Sequence, residues 1–492
     1  MKRTVLILMS SLFLTISTFA QSGTFGNDLT WELSAEGVLT IGGTGAMPNF
    51  VVEPNPWKDY RFDITSVIIE QGVTTIGNES FSNCQELLSV SIPDGVTVIG
   101  DDAFAYCQEL TAINIPEGLT SIGRHAFRFC GKLTSIHFPE SVTSIGYSAF
   151  SFCSRLEITG GENITSVDGG IRTLEDTKWY RDQLEGFIYM GRVLFSYKGN
   201  SMPADINDIR PGTVSIAEGL FMENTTITSI HIPESVTHIG RNAFRECSQM
   251  TSITGAENME RVDPYAFYDN PWYDNLSEEV YYLGHVLLKY EGTDTEITNI
   301  NPGTTQIAQN AFRGKTDIMS IEIPNSVTAI GEAAFEGCTG LSTIILPKNV
   351  NLIEATAFKG CANLTSITVK AETPPYLADS DVFNSIDRSI PVFVPAASIE
   401  AYSSAWTWRN FTNYQALSEE ESTAIGMGNC NEVKVFSSAN GVVVSGAAIG
   451  EKVYVYNVSG VLVAETTQTT IAMPQGVYIV KVGNITSKTI VK

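Results

Sequence analysis

The residues LTSIHFPESVTSIGYSAFSFC, 133 to 153, restate what stands 23 positions earlier, LTAINIPEGLTSIGRHAFRFC (110 to 130), and 23 earlier again, LLSVSIPDGVTVIGDDAFAYC (87 to 107). A phenylalanine marks the period: Phe81, Phe104, Phe127 and Phe150, then Phe221, Phe244 and Phe267, then Phe312, Phe335 and Phe358. A fixed period of this length is the signature of a solenoid, in which each unit buries its apolar side only against its neighbours. A chain of 492 residues, too long for one compact core, then need not break into several globular domains.

Each position in the unit has a physical task. In LTSIHFP, Leu133, Ile136 and Phe138 point inward as a short strand, and Pro139, which cannot donate to a ladder, ends it. Val142 to Ile145 read as a second short strand, and Gly146 turns the chain. The following YSAFSFC, with Ala149, Phe150 and Cys153 at helix-like spacing, predicts about one helical turn that drops Phe150 into the core. Strands stack ~4.8 Å apart, so roughly twelve coils between Ile64 and Val369 make a rod on the order of 55 Å long. Two related insertions, WYRDQLEGFIYMGRVLFSYKG (179 to 199) and WYDNLSEEVYYLGHVLLKYEG (272 to 292), interrupt the runs and repeat the sequence at a larger scale.

The unit, found again as ITSIHIPESVTHIGRNAFREC (227 to 247) and IMSIEIPNSVTAIGEAAFEGC (318 to 338), resembles the BspA-like class of leucine-rich repeats of bacterial surface proteins. LTWELSAEGVLTIGGTGAMPNF (29 to 50), followed by Pro56 and Trp57, resembles that family's N-terminal cap. Residues 373 to 408 resemble its closing segment, a strand and a short helix. The resemblance implies a cell-surface protein that binds a macromolecule, protein or glycan, of a host or a neighbouring cell. Near the C-terminus, VYNVSGVLV and GVYIVKVGNITSKTIVK resemble the sorting tail of type IX secretion, which implies passage across the outer membrane and attachment there. The Asn-Pro that opens such tails is missing; Gly428, Asn429 and Cys430 stand in the linker instead.

The expected fold class is α/β, mostly β: a leucine-rich-repeat solenoid of 23-residue coils, parallel strands plus short helical turns, followed by a small C-terminal β-sandwich. Lys2 and Arg3, an apolar run from 5 to 14, and Thr18-Phe19-Ala20 before Gln21 form a secretory signal, cleaved near Ala20. The organisation expected is a signal peptide at 1–20, an N-terminal β cap at 21–63, and the solenoid at 64–370 with insertions near 179–203 and 273–294. A C-terminal cap at 371–417, a linker at 418–431 and the sandwich at 432–492 complete it. No Cys follows the cleavage site to carry a lipid, and no later run of 18 apolar residues spans a membrane. With 54 acidic against 30 basic residues, a net charge of −24, the surface repels phosphate backbones, which excludes nucleic acid as a partner.

Chemistry-bearing residues are sparse. Cys84, Cys107, Cys130, Cys153, Cys247, Cys338 and Cys361 share one repeat position and read as stacked, buried, reduced thiols; Cys430 stands apart. No CxxC or CxH spacing marks a metal, no HExxH occurs among the five histidines, and no GxSxG or carboxylate pairing marks a nucleophile, so neither an enzyme nor a cofactor is expected. Asp94, Glu117 and Glu140 form a row of carboxylates at one corner, where a weak calcium site is conceivable although solvated turns explain the row equally well. Variation gathers at the outward position of the first strand: Ile68, Ser91, Asn114, His137, His231, Glu322, Ile345 and Thr368. Asn114, His137, His231 and Glu322 are therefore candidate ligand-binding residues, together with Tyr189, Tyr197, Tyr281 and Tyr290 from the aromatic insertions. The alternative function is a structural spacer that displays something else.

Overall fold

A computed structural model describes residues 19–51 and 55–417, and the C-terminal segments 434–438, 441–445, 452–457, 461–466, 470–472, 476–482 and 485–491. Most of the expected signal segment, the linker at 418–431 and Cys430 lie outside the described residues. The chain divides into two compact units, 1–364 with 375–387, and 365–374 with 388–492.

In the first unit each regular coil gives one strand to a first and one to a second parallel ladder, and both ladders break at the insertions. Ser66–Ile69, Ser89–Ser91, Ala112–Ile113, Ser135–Phe138 and Glu157–Gly160 run side by side in the first. Val98–Ile99, Ser121–Ile122, Ser144–Ile145 and Ser166–Val167 do so in the second. Register advances by one coil at a time, Ile122 opposite Ile145 and Ile136 opposite Ile158. Alternation then buries Ile136 and Phe138 while His137 faces out. Gly146 permits the close approach after the second strand: a Cβ there would lie 2.6 Å from the Arg124 amide nitrogen of the preceding coil.

The segment expected to be a helical turn is instead a chain of turns that makes a third set of rungs. The N–H groups of Asp102, Phe104 and Tyr106 donate to the carbonyls of Arg124, Ala126 and Arg128 one coil on, at 2.7–2.8 Å. His125, Phe127 and Phe129 repeat this onto Tyr147, Ala149 and Ser151. A helix keeps its N–H groups for itself; here every second one reaches the next coil, and the residues between bond back three positions, as Ala105 does to Asp102. The geometry requires left-handed backbone twice per coil, φ 53° at Asp102 and 63° at Tyr106. Inward spacing is nearly that of a helix, which is why the sequence pattern misleads.

The marker phenylalanines form a buried pile of rings. Phe81, Phe104, Phe127 and Phe150 stack with centroids 5.2, 5.4 and 5.3 Å apart and planes within 16°. Trp57 heads this pile at 5.7 Å from Phe81, Tyr290 heads the third run at 5.0 Å from Phe312, and Phe383 closes it at 5.5 Å from Phe358. Beside the rings, the thiols have a function of their own. Sγ of Cys107, Cys130 and Cys153 donates to the carbonyl of Phe81, Phe104 and Phe127 at 3.0–3.2 Å, and Cys247, Cys338 and Cys361 do the same in later coils. Asn270 occupies that repeat position without a thiol, and its amide donates to Phe244 at 3.0 Å. All seven described cysteines are free and buried, and burial pushes the Cys153 thiol up to about 12.

Each insertion is a short helix followed by an antiparallel hairpin. Helix Lys178–Arg181 precedes Gly186–Met190 and Val193–Lys198; helix Pro271–Asp274 precedes Val280–Leu283 and Val286–Tyr290. Two-residue loops begin with Gly191 at φ 58° and Gly284 at φ 56°, the positive φ that such tight hairpins need. The second strand of each hairpin enters the stack. Arg192 donates to Ile164 and accepts from Val214, both at 2.7 Å, and His285 bridges Met259 and Thr305 in the same way.

The second unit holds parallel strands Ser366–Val369, Val392–Val394 and Tyr414–Ala416, with helix Ile399–Ser404. The helix buries Tyr402, whose hydroxyl donates to the Ala371 carbonyl at 2.8 Å. Further on, Lys434–Ser438, Gly441–Ser445 and Thr470–Ala472 form one antiparallel sheet. Leu462–Thr466, Val453–Asn457, Gly476–Val482 and Ile485–Val491 form another, in that order.

Candidate binding surfaces

The outward row is exposed as expected, but several members are held by their neighbours. Asn114 donates to the Ile92 carbonyl at 2.9 Å and accepts from its N–H at 3.2 Å, completing the ladder where the strands are shortest. His137 and His231 bond Thr159 and Thr254 of the next coil, at 3.0 and 3.2 Å. Glu322 is exposed and its side chain points away from the core ladder. The carboxylates Asp94, Glu117 and Glu140 do not build a metal site: among the described residues no group of three His, Cys, Asp or Glu converges to hold an ion.

The insertion tyrosines divide by burial. Tyr290 is 1% exposed, stacks on Phe312 and accepts the Asp294 N–H at 3.2 Å, so it heads a ring pile and is withdrawn as a ligand contact. Strand alternation explains this, since Tyr290 lies on the inward face of its hairpin. Tyr189 is half-buried beneath the Arg210 guanidinium, 4.2 Å from the ring centroid, and accepts the Arg210 N–H at 2.9 Å. Tyr197 donates to the Ser201 carbonyl at 2.7 Å, and Tyr281 packs edge-on against Trp272 at 5.8 Å. The structure does not gather these candidates at one place.

It does gather two other groups. Tyr106, Phe129 and Phe152 form an aromatic ridge outside the core, rings 4.8 and 4.3 Å apart and nearly parallel. Arg128 lies 5.0 Å from the Phe129 ring, and Phe152 is 46% exposed. All three have φ 63°. The same position elsewhere holds Asn83, Asp269, Gly314, Gly337 and Gly360, residues that tolerate a left-handed backbone, but also Glu223, Glu246 and Ser385. A bulky ring there costs of order 1 kcal/mol or more and adds nothing to the buried core. The signal was present in the sequence, as the aromatic before Cys in FAYC, FRFC and FSFC.

The second group lines a cleft of about 560 Å³ beside the second strands, whose lining runs from Arg124 to Ala378 although they lie in distant coils. Several of its charges are paired, within a coil or across coils. Asp263 bonds His238 at 2.9 Å and Arg261 at 2.7 Å, Arg261 also reaches Glu354 at 3.7 Å, and Arg241 reaches Glu332 at 3.6 Å. The Tyr265 hydroxyl donates to Glu332. Burial disfavours charge on Asp263, but the His238 hydrogen bond and charge, with Arg261, outweigh it and hold the carboxyl at about 2. Burial, reinforced by the nearby Asp263 charge, pushes Glu354 up to about 7. Burial also raises Glu218, against the Gly169 N–H that it accepts at 3.0 Å.

The solenoid coils match the model of the BspA type leucine rich repeat region at residues 59–171, 204–282 and 290–397, together more than half of the chain. The chain belongs to the BspA-type leucine-rich-repeat family. As a member it is a non-enzymatic leucine-rich-repeat surface module of the adhesion class, and an extracellular or cell-surface location is consistent with that family. Residues 422–491 match a domain of unknown function. Among solved structures, a leucine-rich repeat protein from Bacteroides ovatus is similar at 23% identity, covering 80% of this chain and all of its own, with a TM-score of 0.28. A leucine-rich repeat protein from Eubacterium ventriosum has 22% identity, covers 69% of this chain and 94% of its own, and has a TM-score of 0.29. A leucine rich cell surface protein from Faecalibacterium prausnitzii has 25% identity, covers 83% and 98%, and has a TM-score of 0.25. No curated protein matches the BspA-type chain significantly.

Proposed function

We propose that this BspA-type solenoid binds a protein or glycan macromolecule of a host or neighbouring cell, and that the aromatic ridge is its main contact. The observation that carries this reading is the placing of three aromatic rings, Tyr106, Phe129 and Phe152, in consecutive coils at a left-handed position that other coils give to Gly, Asn, Asp, Ser or Glu. Stacked aromatics beside Arg128 are the side chains enriched at energetic centres of interfaces, and Phe152 leaves the end of the stack open to solvent. The exposed Glu322, His137 and His231 are further candidate contacts on the first-strand face. The test is to probe an array of matrix proteins and glycans with the mature chain, 21–492. Retention of a ligand, lost at least tenfold on Tyr106→Asn, Phe129→Asn and Phe152→Asn together, is the expected result. A spacer would retain nothing above background.

For the address we propose cleavage near Ala20, and that 432–492 is a β-sandwich serving as a sorting tail that leads to outer-membrane attachment. Two antiparallel sheets between 434 and 491, and the sequence likeness of VYNVSGVLV to such tails, support this. Deleting 432–492 should abolish surface display in the native host while the coils still fold; normal display of the truncated chain would refute it.

A further inference from the structure

The cleft that joins Arg124 to Ala378 is a second feature, chemically unlike the ridge. Charged and aromatic side chains, three arginines, five carboxylates and Tyr147, dominate its lining, and its apolar members are Pro264, Leu352, Ala355 and Ala378, so it lacks a deep aliphatic pocket in which a protein partner anchors an aromatic or aliphatic plug. Its volume of about 560 Å³ is that of a site for a small molecule or a short stretch of a polymer, roughly 300–1,000 Å³. Guanidinium donors and carboxylate acceptors line it together, linked across coils by the Arg241–Glu332 and Arg261–Glu354 pairs. Two tyrosine rings flank these charges: Arg124 lies 5.7 Å from the Tyr147 centroid and Arg241 5.2 Å from that of Tyr265. Arg124 forms no ion pair among the described residues, which leaves its donors for a ligand.

A ligand suited to such walls carries many groups that both donate and accept. Each sugar hydroxyl offers one donor and two acceptor lone pairs, so neighbouring hydroxyls can accept from a guanidinium and donate to a carboxylate at once. A polyanion is disfavoured, because the chain carries a net −24 and the cleft itself holds Asp168, Glu218, Asp263, Glu332 and Glu354 against three arginines. We infer that the cleft binds a neutral oligosaccharide segment, contacted by Arg124, Tyr147 and the Arg241–Glu332 pair. This site is separate from the ridge, so each can fail without the other.

The experiment uses the mature chain and an array of neutral oligosaccharides of three to six residues from the gluco, manno, galacto, xylo and N-acetylglucosamine series. At least one series should be retained, and Arg124→Ala and Tyr147→Ala should each weaken it about tenfold or more. Ala378→Trp, which fills the cleft without removing any charged group, should weaken it likewise, with melting temperatures unchanged in all three. Ridge variants should leave this binding intact. Retention of no series, or retention that none of the three cleft variants alters, would overturn the assignment, and a matrix ligand still captured through the ridge would leave the proposed function standing.

Discussion

The side-chain amide of Gln306 accepts the Val262 N–H at 2.8 Å and donates to the Val262 carbonyl at 3.0 Å. A glutamine thus supplies both halves of a peptide rung where the second insertion separates two coils. Gln306 is itself 1% exposed. Gln306→Leu removes both bonds and leaves two buried backbone groups unpaired, at a cost of roughly 2–5 kcal/mol. Hydrogen exchange should show the Val262 amide losing protection while amides near Val98 and Ile99 keep theirs. Equal protection in the variant would mean that the gap is bridged by something other than Gln306.

The stacked thiols should be chemically silent until the fold is lost. With the Cys153 thiol pushed up to about 12 by burial, thiolate is scarce at pH 8 and the sulfur is inaccessible. Native protein should therefore react with a thiol reagent at most at Cys430, and denatured, unreduced protein at about eight sites, the number of cysteines in the chain. A titre of four or fewer would reveal disulfides.

The donor function of the same position can be separated from its volume. Cys130→Ala leaves the Phe104 carbonyl without its Sγ partner at 3.2 Å and opens a small void, and should cost about 1–3 kcal/mol. Because Asn270 meets the same carbonyl in its coil, an Asn270→Ala variant should lose at least as much, adding the cap it gives to the Trp272 N–H at 3.0 Å. Denaturant unfolding of the two variants beside the parent decides this; no loss in either would reduce the row to packing alone.

Glu354 gives the cleft a pH dependence of defined sign. Its folded value of about 7 lies above that of an unfolded glutamate, so its contribution is fully present below about 4.3 and is lost as pH rises through about 7. Asp263, held at about 2, works oppositely: its contribution is present above about 3.9 and lost as pH falls toward 2. Glu354→Gln should match the parent at pH 4 and exceed it at pH 8, by up to about 3 kcal/mol. Melting curves at the two values check it, and a variant less stable at pH 8 would show that the charged Glu354–Arg261 pair outweighs the burial of the carboxylate.

Much of the first unit is legible in the sequence because its core answers to one period. Leu133, Ile136, Phe138, Val142, Ile145, Phe150 and Cys153 are all fully or nearly buried where alternation and turns require it. The sequence pattern reads as a helical turn because turns with every second N–H directed to the next coil place Phe150 and Cys153 inward much as a helix does. Side-chain substitutes for backbone, such as Gln306 for a rung and Asn270 for a thiol, carry no periodic signal and are visible only once coils are adjacent. The site candidates fared by the same logic. Solvent-facing strand positions such as His137 follow from alternation, whereas the cleft depends on contacts between coils far apart in sequence, and the ridge on a left-handed φ that no pattern of apolar residues reports.

Twenty-three residues make one interchangeable coil. Deleting 110–132 joins Glu109 to Leu133, restores CQELTSIHFP in register and lets Phe104 stack on Phe150, so melting should fall only by the contribution of one interior unit. Deleting 110–121 puts Ile122 where Leu110 stood and misplaces every inward residue at the junction, and should lower melting far more. Thermal unfolding of the two beside the parent is the measurement: a small loss for the first and a large one for the second is the predicted result, and similar losses in both would contradict the coil as the unit of the fold.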